Sequence, residues 1–597
     1  MVLGTGLLAQ PHPFLPGTFG VYVWLGLAAE IGALGILAAR GTRPFLTVCL
    51  GLSVMFIGYH AIGAGLRVPA PCPCLGGLLG HWKPMVQVES AISFVLACGL
   101  GTASFGGLFA TSRHTLPAPD DEPSLWPALG TACLWLLAGT VIVWLWRGRV
   151  LGGDEGMEAA KSLQFLKGHG SRMWNDQPAL WSIVGAVLFR VCGPSLSWGR
   201  MLVVLVGASM PLVWVAYWSR EGLKWSAAIS TILLWLAGPS YFASFMLEAP
   251  AYSIGLASLL PLILRGDGWL PFCISVLLAA TGLSVKLTAA FALVVPFAWL
   301  CQRSYWRAVG WGFSTVTITI VGSLIQPGWS WATMVSSHLD FVAKEVWLYH
   351  MDPAIYADAW LICLLALFAI ANRYATSRLR PLAPWLWAEG VALLIHLVHR
   401  PFWDFYNLHL LTPLAVIAGV GAVDLWKSLH SASLTRLQYR STSGAAITLC
   451  LLWAWQQESR IAADLGASTE FAGSAIQGGL KSLERSHSAA FAMNPLWTFA
   501  ADEAQTPAEL TILPRKRFWS GQISESVVVA MLASNHVDAL VLAQDLASQP
   551  AWTNLLAGYL PTARDGETVL FVRRELNPHP ISTSNDQRSV ILHQIGF

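Results

Sequence analysis

Gly152-Gly153-Asp154-Glu155-Gly156 places two adjacent carboxylates between glycines, directly after an apolar, Trp-rich run that ends at Trp146. A run of that length and polarity crosses a bilayer, so the reading turns on which side of a membrane the acids face. A carboxylate at the outer edge can stay ionised beside water and deprotonate an acceptor hydroxyl or amine. Flanking glycines let the backbone bend and come close to a substrate. The competing assignment is a helix cap, with Asp154 capping a helix that begins near Gly156 and Glu155 favouring its positive end. Spacing alone does not separate the two.

The surrounding chain supplies context. Of 597 residues, 55% are hydrophobic and only 12% charged, and the mean hydropathy is +0.55; soluble domains carry about twice that charge. The composition predicts an all-α polytopic membrane protein with membrane lipids around it. A net charge of +3, scattered in short clusters, points to no nucleic acid partner. Thirty Trp suit many helix ends at the membrane–water boundary. Met1–Gln10 lacks a basic n-region, so insertion is expected to rely on the first spanning helix.

Apolar runs of roughly 17–25 residues predict about 14 transmembrane helices. They fall near 19–39, 44–66, 85–108, 126–146, 198–219, 225–243, 249–265, 269–285, 287–301, 308–325, 359–372, 384–399, 408–425 and 443–458. The run 179–193 is short and bounded by Pro178 and Gly193-Pro194, which predicts an interfacial or re-entrant segment. Putting Arg40 and Arg43 in the cytoplasm brings Arg220/Lys224, Arg265, Arg303/Arg307 and Arg373/Arg378/Arg380 to the same side. The opposite face then receives Asp154-Glu155, Glu248, Lys286 and His399–His409. Arg147 and Arg149 stand on the wrong side for this rule. Beyond about Gln457, short β-like runs at 489–493, 537–542 and 568–572 predict a small C-terminal external α/β domain. The expected division is a membrane region 1–110, a cytoplasmic linker 111–124, a membrane domain 125–458, an external domain 459–576 and a tail 577–597.

Further polar groups stand out on the external side. Lys286 interrupts the apolar stretch 279–299, where its ammonium could hold a phosphate oxygen or simply snorkel from a helix end. His399-Arg400-Pro401-Phe402-Trp403-Asp404-Phe405-Tyr406-Asn407-Leu408-His409 gathers cations, rings and amides, either to bind a phosphate and line a lipid or sugar pocket, or as an aromatic belt with one anchoring Arg. Glu248 could orient a substrate, pair with Lys286 or cap a helix. Cys72-Pro73-Cys74 is a close dithiol on the oxidising side, redox-active or structural. Asp154, Glu155 and Glu248 could bind a divalent cation, although no full ligand set is visible and the metal remains unassigned. The sequence contains no Walker-type loop, dinucleotide fingerprint or His-Glu-x-x-His motif. A donor used outside must therefore itself reside in the membrane.

Residues 125–460 resemble the GT-C glycosyltransferases that use polyprenyl-phosphate sugars, the group containing protein O-mannosyltransferases and lipid A aminoarabinose transferases. Gly153-Asp154-Glu155-Gly156, Asn175-Asp176-Gln177-Pro178, Leu283–Ala289 around Lys286, and Arg400–Tyr406 followed by His409 carry the resemblance. It implies that Asp154 is the catalytic carboxylate, that Lys286 and Arg400 hold the lipid phosphate, and that a lipid-linked sugar is the donor. Catalytic candidates are thus Asp154 and Glu155. Substrate-binding candidates are Asn175, Asp176, Glu248, Lys286, His399, Arg400, Asp404, Tyr406 and His409. Residues 1–110 resemble MauE/DoxX-like redox-associated membrane proteins through Glu30 and Cys72-x-Cys74-Leu-Gly76. The expectation is inverting sugar transfer to a lipid, glycan or protein acceptor at the periplasmic face of a bacterial inner membrane. Its rivals are a flippase for lipid-linked sugars and a thiol-redox membrane protein.

Overall fold

The computed structural model describes residues 125–576 apart from 152–153, 267, 327–350, 353, 400, 432–435, 469–470, 472–473, 485–487, 502–505 and 520. The expectations for 1–124, including Cys72 and Cys74, and those for Arg400 and the tail 577–597 fall outside the described residues.

The protein is an all-α polytopic membrane protein with a small C-terminal sheet domain. Four described helices are long and apolar enough to cross a membrane: Pro127–Leu145, Leu196–Ser219, Arg380–Val398 and Asp404–His430. Other expected spans are built from shorter pieces, such as Lys224–Ala237 with Pro239–Ala243, and Glu248–Ala257 with Leu259–Arg265. Such breaks survive at membrane depth where the protein itself surrounds the exposed backbone. Helix Leu180–Cys192 has 13 residues, roughly 20 Å of rise, which is less than the about 30 Å hydrocarbon thickness.

The helix within Asp404–His430 forms the axis: 83% of its apolar window is buried, against 28% for Pro127–Leu145 at the lipid-facing margin. Glycine makes that burial feasible. A β-carbon on Gly421 would lie 1.9 Å from the Leu365 carbonyl oxygen, and one on Gly419 would lie 2.4 Å from that of Ser226. These two positions bring helices Trp360–Ala375 and Lys224–Ala237 against the axis at backbone distance, the small-residue contact by which membrane helices associate.

The tryptophans divide into two populations. Trp144, Trp225, Trp269 and Trp306 are exposed near helix ends, as an interfacial belt requires. Trp135, Trp181, Trp214, Trp218, Trp311, Trp385 and Trp453 instead fill the core completely. Trp135, for example, packs tilted against Trp235 at 4.9 Å and edge-to-face against Phe242 at 5.3 Å. The boundary explanation therefore covers only part of the Trp content; the rest is interior packing by large rings.

The predicted basic turns meet at one end of the bundle. Arg373 forms a bidentate pair with Asp424 (2.7 and 2.8 Å), Arg380 and Gln302 exchange hydrogen bonds of 3.1 and 3.2 Å, and the Tyr217 hydroxyl donates to Pro381 O at 2.7 Å. Arg149, anomalous by the charge rule, acts as a strut. Its guanidinium donates to Leu465 O (3.0 Å) and Ser468 O (3.3 Å), the carbonyl end of helix Arg436–Ala467, where a cation is favoured. That helix continues past the boundary expected at 458.

The C-terminal sheet has order β1-β2-β4-β3, with β1 Ala490–Ala492, β2 Ala539–Ala543, β3 Tyr559–Asp565 and β4 Thr568–Arg573. β1 and β2 pair in parallel; the other pairings are antiparallel. β3 was not among the predicted runs. Pro561 breaks its pattern, and the register shifts between Pro561 and Ala563, the edge position at which Pro is tolerated.

Candidate active site

Asp154 and Glu155 sit at the start of helix Glu155–Leu166, and the turn sends their side chains to different places. Asp154 is the N-cap residue: its backbone oxygen accepts from Met157 N (3.1 Å) and Glu158 N (3.2 Å), while its carboxylate makes no capping hydrogen bond. That side chain lines a pocket instead. Glu155 is wholly buried against Arg200, which donates from Nε to Oε1 (2.7 Å) and from Nη2 to Oε2 (2.6 Å). Arg200 also donates to Trp146 O and Arg149 O, both at 2.7 Å, and Phe245 N donates to Glu155 at 2.8 Å. Glu155 thus clamps the loop to the helical bundle and does not line the pocket.

Gly156 is not a hinge. A β-carbon there would lie 2.8 Å from both Leu496 N and Leu496 Cγ, so the glycine seats the C-terminal domain on this helix. The docking continues with Gln164 Nε2 donating to Thr506 O at 2.7 Å and Phe189 packing on Phe499 at 5.6 Å. Gly156→Val is expected to separate the two. Limited proteolysis should then cut residues 459–576 faster than in the wild type, and an unchanged digestion pattern would refute the contact.

The pocket is lined by residues from five parts of the chain, among them Asp154, Glu158, Lys161, Asp176, Glu248, Lys286 and Lys516. Asp154, Glu158 and Lys161 follow the i, i+4, i+7 spacing that puts side chains on one helix face. Lys161 Nζ donates to Glu158 at 2.7 Å, and Ser182 Oγ donates to the other Glu158 oxygen at 3.2 Å. Asn175 Oδ1 accepts from Gln177 N at 3.2 Å, an Asx-type turn that presents Asp176, whose carboxylate stands 3.2 Å from Lys516 Nζ. Lys286 follows helix Trp269–Val285 in extended conformation (φ −157°, ψ 139°). Its ammonium is salt-bridged to Glu248 and lies 5.0 Å above the Phe405 ring and 5.9 Å above that of Tyr406. Burial pulls the Lys516 ammonium down, but Asp176 and Asp154 outweigh it and hold that ammonium above its usual range.

The pocket lysines are thus each matched to one acid: Lys161 to Glu158, Lys286 to Glu248 and Lys516 to Asp176. Among the described residues, Asp154 is the pocket carboxylate left without an ion pair.

The described residues of the 399–409 segment contribute less than its composition suggests. His399 and Asp404 are exposed and outside the pocket lining. His409 is buried, hydrogen-bonded to His396 at 3.1 Å and stacked on Phe291 at 4.4 Å. Tyr406 stacks on both histidines and, with Phe405, reaches Lys286. The divalent-cation set also separates, because Glu155 is taken by Arg200 and Glu248 by Lys286. Among the described residues no group of three or more His, Cys, Asp or Glu is placed to hold a metal. Glu158 and Lys161 escaped the sequence reading although their helical spacing from Asp154 was a usable signal. For Lys516 the signal was only the basic run Arg515-Lys516-Arg517.

No protein-family model and no curated protein matches this sequence. Among solved structures, the chain is similar to ArnT from Cupriavidus metallidurans bound to undecaprenyl phosphate, with a TM-score of 0.50 and 15% identity over 76% of this chain and 100% of that one. The apo state of the same protein aligns with the same TM-score and identity and 99% of its length. The protein has the GT-C fold. At this identity the likeness concerns architecture, and the chemistry has to be argued from the pocket itself.

Proposed function

We propose that this protein is a membrane glycosyltransferase that moves a sugar from a polyprenyl-phosphate donor to an acceptor hydroxyl or amine. The observation that carries this reading is the uncommitted carboxylate of Asp154 in a pocket whose lysines are otherwise matched to acids. Asp154 takes the acceptor proton, the acceptor attacks the anomeric carbon, and the C–O bond to phosphate breaks with its electrons passing to the phosphate oxygen. Lys286, together with Arg400 as the sequence resemblance implies, stabilises the charge that develops there. A phosphate leaving group needs no proton, so one base suffices and the configuration inverts. Binding of undecaprenyl phosphate by the structurally similar ArnT supports a lipid phosphate as the donor's carrier.

Glu248 and Lys286 adjoin helix ends: Glu248 opens a two-piece span whose other end is Arg265, about 26 Å away by helical rise. Polar groups gathered at one end of the bundle suit surface chemistry, whereas a flippase path needs them at the bilayer midplane. The distribution of basic turns supports an external position for the pocket and the 459–576 domain, and we assign that face to the periplasm of a bacterial inner membrane. The acceptor is a lipid, glycan or protein.

The test is to incubate the purified protein with radiolabelled polyprenyl-phosphate sugars and native membrane extract. Label is expected to pass to an acceptor with at least one donor; vesicle-to-vesicle or leaflet movement of every donor without transfer would favour transport instead.

A further inference from the structure

We infer that Lys516 is a phosphate ligand brought to the membrane pocket by the C-terminal domain, leaving Asp176 for the phosphate of the donor. The inference rests on the lipid-phosphate reading above and extends it to a domain outside the membrane helices.

The three lysines differ in availability. The Lys161 side chain is 3% exposed and held at 2.7 Å by Glu158. Lys286 is 10% exposed, salt-bridged to Glu248 and covered by two rings. Lys516 is 18% exposed, with Asp176 at 3.2 Å. It is therefore the most exposed of the three pocket-lining lysines, and its contact is longer than that of the Lys161 pair. Its charge is secured by Asp176 and Asp154 together, so an ammonium is present for an entering anion to recruit.

The backbone around Lys516 is fixed on the domain side. The neighbouring Arg515 is buried, donates from Nε to Ala492 O at the end of β1 (2.7 Å) and lies 4.6 Å from the Phe491 ring. Helix Leu513–Trp519 thus has one cation anchored in the domain core and the next directed at the membrane pocket. Docking through Gly156, Gln164 and Phe189 sets the distance at which the second one arrives.

The chemistry favours a cation here. The donor phosphate is a diester with one negative charge, and the released polyprenyl phosphate is a monoester carrying about −1.5 to −2. An ammonium touching that group gains interaction as the sugar departs, so it favours the transition state over the bound donor. Lys516 shares the developing charge with Lys286, and when product leaves it returns to Asp176.

Binding of undecaprenyl phosphate to the purified full-length protein, followed by tryptophan fluorescence, tests this. Lys516→Ala is expected to weaken binding roughly tenfold, as the loss of one charge-assisted hydrogen bond, with Lys516→Arg restoring most of it. Asp176→Asn, which frees the ammonium, is expected to bind as tightly as the wild type or tighter. Equal weakening by Lys516→Ala and Asp176→Asn, with faster proteolysis of 459–576 in both, would make the pair a strut and overturn the inference. So would unchanged binding in Lys516→Ala when the wild type binds. A wild type that does not bind undecaprenyl phosphate would overturn the lipid-phosphate reading, and this inference with it.

Discussion

Asp154→Asn is expected to lower the turnover number for sugar transfer by roughly 10²- to 10⁴-fold, the contribution of a positioned general base. The amide keeps the size of the carboxylate and removes its ability to take a proton. The usual confounder for such a residue is lost helix capping, which costs about 1 kcal/mol. Here the side chain makes no capping hydrogen bond, so thermal unfolding in detergent should stay at the wild-type midpoint. Binding of undecaprenyl phosphate should also survive, since the change removes a negative charge facing the anion. Near-normal turnover would remove Asp154 from the chemistry, and a large fall in stability would return it to a structural role.

The second large effect concerns the adjacent acid and has the opposite signature. Glu155→Gln leaves the Arg200 guanidinium fully buried without its carboxylate, a loss on the order of 3–5 kcal/mol for a broken buried pair. The expected result is a clear fall in the unfolding temperature and in folded yield, with transfer falling in proportion to the folded fraction. Replacing both partners by apolar residues of similar volume, Glu155→Leu with Arg200→Met, should recover much of the stability, because the uncompensated charge is then gone. If Glu155→Gln unfolded like the wild type yet lost turnover as Asp154→Asn does, Glu155 would belong to the reaction and the clamp would be incidental.

These neighbours show where a sequence stops being readable. Spacing put two acids in one turn but could not say that the helix start turns one to the pocket and the other into an arginine 45 positions later. The helices themselves were legible because hydrocarbon permits little besides apolar runs with internally paired backbone. The run 269–285 coincides with helix Trp269–Val285, and 198–219 nearly with Leu196–Ser219. Interior packing was not legible: nothing local distinguishes Trp144 at a helix end from Trp135 in the core. Gly156 looked like a hinge because its partner, Leu496, lies hundreds of residues away. Lys516 was hidden for the same reason, since its meaning depends on how the C-terminal domain docks. The Glu248–Lys286 pairing was one of several readings for Glu248, and the fold brings the two side chains together.

The most direct test of the central claim is the anomeric configuration of the transferred sugar. Purified protein, a radiolabelled polyprenyl-phosphate sugar that supports transfer and its acceptor should be taken through a single turnover, and the glycosidic product assigned by NMR. Direct displacement assisted by one base at Asp154 predicts inversion relative to the donor. Retention would require a covalent glycosyl intermediate or a second displacement and would contradict the account.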